Sequence, residues 1–343
     1  MKLIKNQFHI PESLNAAKPP EIRNHSRADV RMMVLDSLTG KTDHNHFTQI
    51  GQYLQSGDLL VFNNSRTIPS HVKGYQDGNL VSIRLAKMIS SNRWEALLIN
   101  GKKKMGSVIR FEDHVEATIN SLMNDGERVE LVFSEKGIQL YDFLYRYGMP
   151  IRYEYINTPW PLHVYQTVYG SVPGSVEMTS AGRPFTWRLM KELKDKGVHQ
   201  AFIQLHTGLS YYENDIWPNP EDQYEFFSVS DETAKTINDT KNKGGKIIAV
   251  GTTVVRALES AALAGSVEAK NGETNLYITE NYPLQVVDGL ITGLHEPEAS
   301  HLHMLQAFVD KHLLLTAYEE AVREQYLWHE FGDMNFILPL GVK

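Results

Sequence analysis

The stretch "KIIAVGTTVVRALESAA", residues 246–262, constrains the fold more than any other part of the chain. A β-branched apolar run stops at Gly251, and two threonines lead into apolar residues at helical spacing. A short run that is apolar on both faces reads as a strand buried within a sheet, and the turn after it as the start of a helix packed on that sheet. The residues point to a polar ligand at a helix N-terminus without naming it. Gly251 permits a tight turn, the hydroxyls of Thr252 and Thr253 can cap exposed N–H groups, and the helix dipole favours an electron-rich group there. Arg256 and Glu259 are three apart and share a helix face. A capped helix with a surface ion pair accounts for the same residues without a ligand.

Strand and helix signals alternate through the rest of the second half. "TWRLMKELKDKG" is an amphipathic helix stopped by Gly197, "HQAFIQLHTG" is a buried strand, and "SDETAKTINDTKNKGG" is a helix capped by Ser230 or Asp231 and closed by a Gly pair. "HMLQAFVDKHLLLTAYEEAVREQY" is one long amphipathic helical region or two helices. The first 70 residues predict a strand, a turn at Thr39-Gly40 and a second strand, then a buried strand over Leu59 to Phe62 and a polar loop ended by Pro69. Between residues 71 and 145 the helix signals give way to short strands: "NLVSIRLAKMI", "RWEALLI", "SVIRF", "VEATI" and "RVELVF". Their spacing predicts a small all-β barrel or sandwich. "YINTPWPLHVYQTVYGSVPGSV" reads as the return linker and a binding loop. At 343 residues the chain exceeds one simple core. The expected class is α+β: an α/β main domain with a β-barrel core, formed by residues 1–70 and 150–343, interrupted by a smaller all-β barrel domain over 71–149.

A formal charge of −7 argues against wholesale electrostatic binding of nucleic acid while leaving room for a local basic patch. With no cysteine, disulfides, thiolate metal sites and a Cys nucleophile are excluded. Polar residues and Pro11 interrupt the N-terminal stretch, and no run approaches the roughly 18–20 apolar residues that span a bilayer. The expectation is a cytoplasmic protein with no membrane partner.

Several polar groups could carry chemistry. Asn63, Asn64, Ser65 and Arg66 follow a buried strand, offering amide donors and acceptors and a planar guanidinium, although such loops are also plain turns. His206 ends a strand, the common setting of a structural histidine. Glu225 is flanked by aromatic residues, which can raise a carboxyl into the general-base range, or it is simply the outward residue of a strand. His295, Glu296, Glu298, His301 and His303 crowd into nine residues, but the zinc-protease spacing is absent and Pro297 disfavours the helix it needs, so no metal is expected. Lys102, Lys103 and Lys104 form a turn that could touch a phosphate backbone or remain solvated.

Six stretches, in order along nearly the whole chain, resemble the S-adenosylmethionine:tRNA ribosyltransferase-isomerases of queuosine biosynthesis: "GDLLVFNNSRTIP", "YQTVYGSVPGSV", "KGVHQAFIQLHTGL", "IIAVGTTVVRALES", "VVDGLITGLHEP" and "FGDMNFIL". The resemblance implies an α/β domain interrupted by a β-barrel domain. It also implies an enzyme that uses the ribosyl portion of S-adenosylmethionine. A base removes a proton beside the sulfonium, and the sugar passes to the aminomethyl group of a 7-deazaguanine in tRNA as an epoxycyclopentane. Methionine and adenine leave, and no metal takes part. S-adenosylmethionine and tRNA are then the partners. Gly251, Thr252, Thr253, Asn63 and Arg66 would line the cleft, Asp288 would bind a hydroxyl, and Glu225, His206, His295 and Arg256 would serve the chemistry.

The chain departs from the family pattern in that cleft. Pro-Thr-Ala-Gly-Leu-His-Phe is here "TSAGRPF", with Arg183 and Pro184 in place of Leu and His. Asn-Asp-Thr-Arg is "NNSR", and of His-x-Met-His-x-Glu only Glu225 survives. Asn-Phe-His-Leu-Pro is "GLHEP", which keeps His295. Proton-transfer groups are typically worth roughly 10²–10⁴-fold in rate, so other groups have taken over or the reaction has changed. The alternative reading is a paralogue that binds S-adenosylmethionine but cleaves it, or passes its sugar to another acceptor without tRNA.

Overall fold

Strands whose residues are all apolar must be covered on both faces, whereas alternating strands need only one. The two patterns separate in space in the computed structural model, which describes residues 8–23, 26–123, 126–210, 212, 222–295 and 300–340. After a short helix α1 (Pro20–Arg23), β1 (Arg31–Asp36) and β2 (Thr42–His46) form the expected hairpin. β3 (Leu59–Asn63) and β4 (Ser65–Thr67) follow. Six strands then close a barrel: β5 (His71–Gln76), β6 (Asn79–Met88), β7 (Arg93–Ile99), β8 (Val108–Arg110), β9 (Glu116–Leu122) and β10 (Arg128–Phe133). Helix α2 (Ile138–Tyr147) adds Leu140, Phe143 and Leu144 to the barrel's core, and His71 pairs with Met149 where the chain returns.

The second half supplies β11 (Val172–Ser175), α3 (Trp187–Asp195), β12 (His199–Leu205), β13 (Glu225–Val229), α4 (Asp231–Asn242), β14 (Ile247–Val250) and α5 (Thr252–Ser260). A small hairpin, β15 (Ala262–Leu263) and β16 (Ser266–Val267), leads to β17 (Lys270–Thr274), β18 (Gly289–Gly293), α6 (Ser300–Leu305), α7 (Lys311–Arg323) and β19 (Met334–Leu338). Ser230 caps α4 by accepting from the Thr233 N–H. The C-terminal helical region is two helices, because Asp310 accepts from the His312 and Leu313 N–H groups and starts α7 afresh.

Nine strands pair in the order β17-β13-β12-β3-β14-β18-β19-β1-β2. The core expected to be a barrel takes the form of this open mixed sheet, since its edge strands β17 and β2 do not pair with each other. Helices α4 to α7 pack on one face, and α3 with the turn Phe47–Tyr53 packs on the other. β12, β3, β14 and β18 run parallel. From β3 the chain goes to β12 on one side and later returns to β14 on the other, so a crevice forms at the carboxyl ends of these strands. Among the described residues no helix is long and apolar enough to cross a membrane.

Candidate active site

Asn63 sits buried at the end of β3. Its Oδ1 accepts from the N–H groups of Ser65 (3.0 Å) and Leu205 (3.0 Å), and its Nδ2 donates to the Leu205 carbonyl (2.8 Å) and the Thr253 hydroxyl (3.3 Å). One amide thereby ties β3 and β12 to the first turn of α5, using both donors and both acceptor positions. The threonines do not cap that helix. Its cap is Gly251, at φ 96°, with no side-chain hydrogen bond, and the Thr253 hydroxyl accepts from Asn63 instead. A Cβ on Gly251 would stand 3.4 Å from that of Ala181, so the glycine also lets the turn Ser180–Gly182 close against the helix N-terminus.

Glu225 opens β13, and its Oε2 accepts from Nη1 of Arg256 in a tight ion pair. Its Oε1 accepts from the Gly208 N–H at 2.8 Å. Arg256 also donates from Nε to the Leu276 carbonyl (3.1 Å) and from Nη2 to the Thr274 carbonyl (3.3 Å). Glu259 is not its partner. That carboxylate is buried and accepts from the N–H groups of Gln285, Val286 and Val287 at 2.9, 3.0 and 3.2 Å, holding the segment that leads into β18.

His206 follows β12 with both ring nitrogens engaged, Nδ1 to the Ser65 hydroxyl (2.7 Å) and Nε2 to the Gln204 amide (2.7 Å). The Ser65 hydroxyl also meets that of Ser175 at 2.6 Å, and Ser175 accepts from the Thr207 N–H at 3.1 Å. A Cβ on Gly174 would lie 2.5 Å from the imidazole, so only glycine fits there. Burial depresses the His206 pKa to about 4, partly offset by the charge of Glu225, and the ring is neutral at physiological pH.

Glu177 was not singled out from the sequence. It is half-buried, with Oε1 accepting from the Ser210 N–H (2.9 Å) and Oε2 from the hydroxyls of Ser210 (2.7 Å) and Tyr153 (3.4 Å). Burial pushes its pKa up to about 7 against the hydrogen bonds from Ser210, and the negative charge of Glu225 reinforces the rise. The available signal was a lone acid between Val176 and Met178, directly before "TSAG".

The other expected residues have partners of their own. Arg66, on β4, donates from Nη1 to the Gly170 carbonyl at 3.1 Å. His295, just past β18, bonds through Nε2 to the Thr292 hydroxyl (2.7 Å) and stacks on His301 at 4.7 Å. It shares the crevice edge, but four strand spacings, roughly 19 Å, separate β18 from β13 and Glu225. Asp288 is a correction. It precedes β18 and accepts from the Ile247 N–H at 2.7 Å, so it lies at the opposite edge of the sheet, about 13 Å of β14 away from Gly251. Parallel pairing sets the start of β18 beside the start of β14, which fixes Asp288 there. Lys102 is bound through its backbone to the Gln76 side chain at the end of β5 remote from His71, so the Lys102–Lys104 turn is at the far end of the barrel from the crevice. There Lys103 pairs with Glu127 at 3.2 Å. Glu296 and Glu298 are outside the described residues, among which no group of three His, Asp or Glu side chains could hold a metal.

The crevice joins the very stretches that carried the family resemblance, and the model of the queuosine biosynthesis protein family matches residues 3–337. The chain belongs to this family. It is also similar to a solved structure, the S-adenosylmethionine tRNA ribosyltransferase of Thermotoga maritima, at 29% identity over 96% of this chain and 99% of that one, with a TM-score of 0.56.

Within the queuosine biosynthesis fold, the departures have structural accommodations. Arg183 is buried, donating from Nη2 to Glu21 (2.6 Å) and from Nε to the Val164 carbonyl (2.8 Å), with its guanidinium 5.0 Å from the Phe331 ring centroid. Burial lowers its pKa and Glu21 opposes that, so the added cation is neutralised locally. Pro184 lines a small recess with Ser180, Arg183, Gly293 and Met334. Asn64, standing at the family's Asp position, has a buried amide oxygen with no hydrogen-bond partner among the described residues.

Proposed function

We propose that the chain is an S-adenosylmethionine-dependent ribosyltransferase-isomerase that acts on a 7-aminomethyl-7-deazaguanine in tRNA and leaves an epoxycyclopentane on the base. Family membership supports the reading, as does the likeness to the Thermotoga maritima enzyme. The observation that carries it is the crevice itself. The Asn63 amide, the glycine-capped N-terminus of α5, and the Glu225–Arg256 pair converge at the carboxyl ends of β3, β12 and β14. Asn63 uses both amide N–H groups on the protein and Arg256 is held by Glu225 and two carbonyls, so in this reading they shape the site. Thr252 and the orphaned amide oxygen of Asn64 are left to meet the nucleoside.

For the RNA, the outer face of the β5–β6 ribbon offers Lys73, Tyr75 and Arg84, running from the junction at His71 along the barrel. Burial and the positive charges of Arg84, Lys73 and Arg152 push the His71 pKa down to about 4, a sign of a basic field at this point. Lys102, Lys103 and Lys104 extend the same barrel at its far end and are proposed as a second RNA-binding point.

Incubation with S-adenosylmethionine labelled in the ribosyl group tests the reading. Label entering deazaguanine-modified tRNA supports it, and no incorporation overturns it. A second reading, cleavage of S-adenosylmethionine without RNA, is favoured by Arg183 and Pro184 at the family's Leu and His positions. It requires adenine and methionine to be released when RNA is omitted.

A further inference from the structure

Two carboxylates flank the segment from His206 to Ser210, and their surroundings differ in kind. Glu225 is paired with the Arg256 guanidinium. Among the described residues Glu177 accepts from neutral donors, the Ser210 N–H and hydroxyl and the Tyr153 hydroxyl, while Glu225 adds a like charge nearby. One carboxylate is tied up in an ion pair, whereas the other, raised by burial, can gain and lose a proton near neutrality.

The chain around Glu177 puts it at the crevice. Its carbonyl accepts from the Thr207 hydroxyl (2.8 Å), one residue beyond His206, and Val176 donates to the Thr207 carbonyl (2.8 Å). Three residues further on, the turn Ser180–Gly182 packs against Gly251 at the start of α5. The residue is half-buried and its carboxyl is desolvated. The competing groups are committed: both ring nitrogens of His206 are bonded, Glu225 is held by Arg256 and Gly208, and His295 lies on the far flank.

We propose that Glu177 is the base that takes the proton from the carbon beside the sulfonium of S-adenosylmethionine, an assignment that rests on the ribosyl-transfer function proposed above. In this step the C–H bond breaks, its electron pair stays on carbon next to the positive sulfur, and the proton moves to the Glu177 carboxylate, which becomes a neutral acid. A pKa near 7 suits that exchange. Ser210 tunes it, because its two hydrogen bonds favour the ionised form.

The test uses the full chain with S-adenosylmethionine in deuterated water, following deuterium entry at the carbon beside sulfur, turnover with modified tRNA, and calorimetric affinity. Glu177→Gln should bind S-adenosylmethionine as the wild type does while exchange and turnover fall by roughly 10²-fold or more. Ser210→Ala should move the acidic limb of the pH–rate profile to higher pH, a change that a merely structural role for Glu177 would not produce. Exchange and turnover retained in Glu177→Gln, or an unmoved limb in Ser210→Ala, overturns the assignment alone. A wild-type protein that neither binds nor exchanges S-adenosylmethionine overturns the ribosyl-transfer reading and this step with it.

Discussion

Arg256 and Glu225 are locked together between the half-buried side of α5 and the first residue of β13, with their side chains only 18% and 12% exposed. The guanidinium also holds the carbonyls of Thr274 and Leu276, so one arginine joins a helix, a strand and the segment after β17. Removing one partner of a largely buried pair strands the other charge. Arg256→Ala is therefore expected to cost about 3 kcal/mol in chemical denaturation and to weaken S-adenosylmethionine binding. Arg256→Lys keeps the charge without the fork and should fall between.

Asp288 and Asn63 separate the two edges of the sheet. Asp288→Asn should leave S-adenosylmethionine affinity unchanged in calorimetry, because the residue lies beyond the far end of β14. Asn63→Ala leaves the Leu205 N–H and carbonyl buried without partners and should cost about 2 kcal/mol, with a matching loss of ligand affinity.

Gly174→Ala should displace His206, since the new Cβ would stand 2.5 Å from the ring. The expected cost is about 1–3 kcal/mol, together with loss of the Ser65–His206 hydrogen bond. Thermal denaturation and the histidine's NMR resonance would report both.

Stability should depend on pH in two opposed ways. His71 and His206 drop from 6.5 to about 4 on burial, so the unfolded chain binds those protons more readily. The stability due to their neutral rings is complete above pH 6.5 and is lost as the pH falls towards 4. Glu177 rises from 4.5 to about 7, so its contribution is complete below 4.5 and fades as the pH rises through 7. Glu177→Gln should accordingly raise the melting temperature over wild type at alkaline pH and not at acid pH, as scanning calorimetry can measure.

Lys73→Glu combined with Arg84→Glu should weaken tRNA binding and flatten its salt dependence, by about one unit of log–log slope for each phosphate no longer neutralised. S-adenosylmethionine affinity should not change. Equal tRNA slopes for variant and wild type would remove the β5–β6 face from the interface.

Local pattern carried the elements. The apolar run Ile247–Val250, the glycine after it and the helical spacing through Ser260 specify strand, turn and helix wherever the unit is placed, because burial and backbone sterics act within a few residues. The spacing of short strands through residues 71–145 indicated the barrel in the same way, and the ordered motifs indicated the family. What local pattern does not contain is who meets whom. Arg256 and Glu259 share a helix, yet one reaches Glu225 and the other the N–H groups of residues 285–287. Asp288 belongs to a family stretch, yet parallel pairing carries it to the wrong edge. Glu177 looks like a lone acid between Val176 and Met178, and its burial, with the approach of Ser210, Glu225 and Tyr153, changes its proton affinity. Desolvation and charge–charge interaction depend on neighbours through space, and the tertiary fold alone decides those.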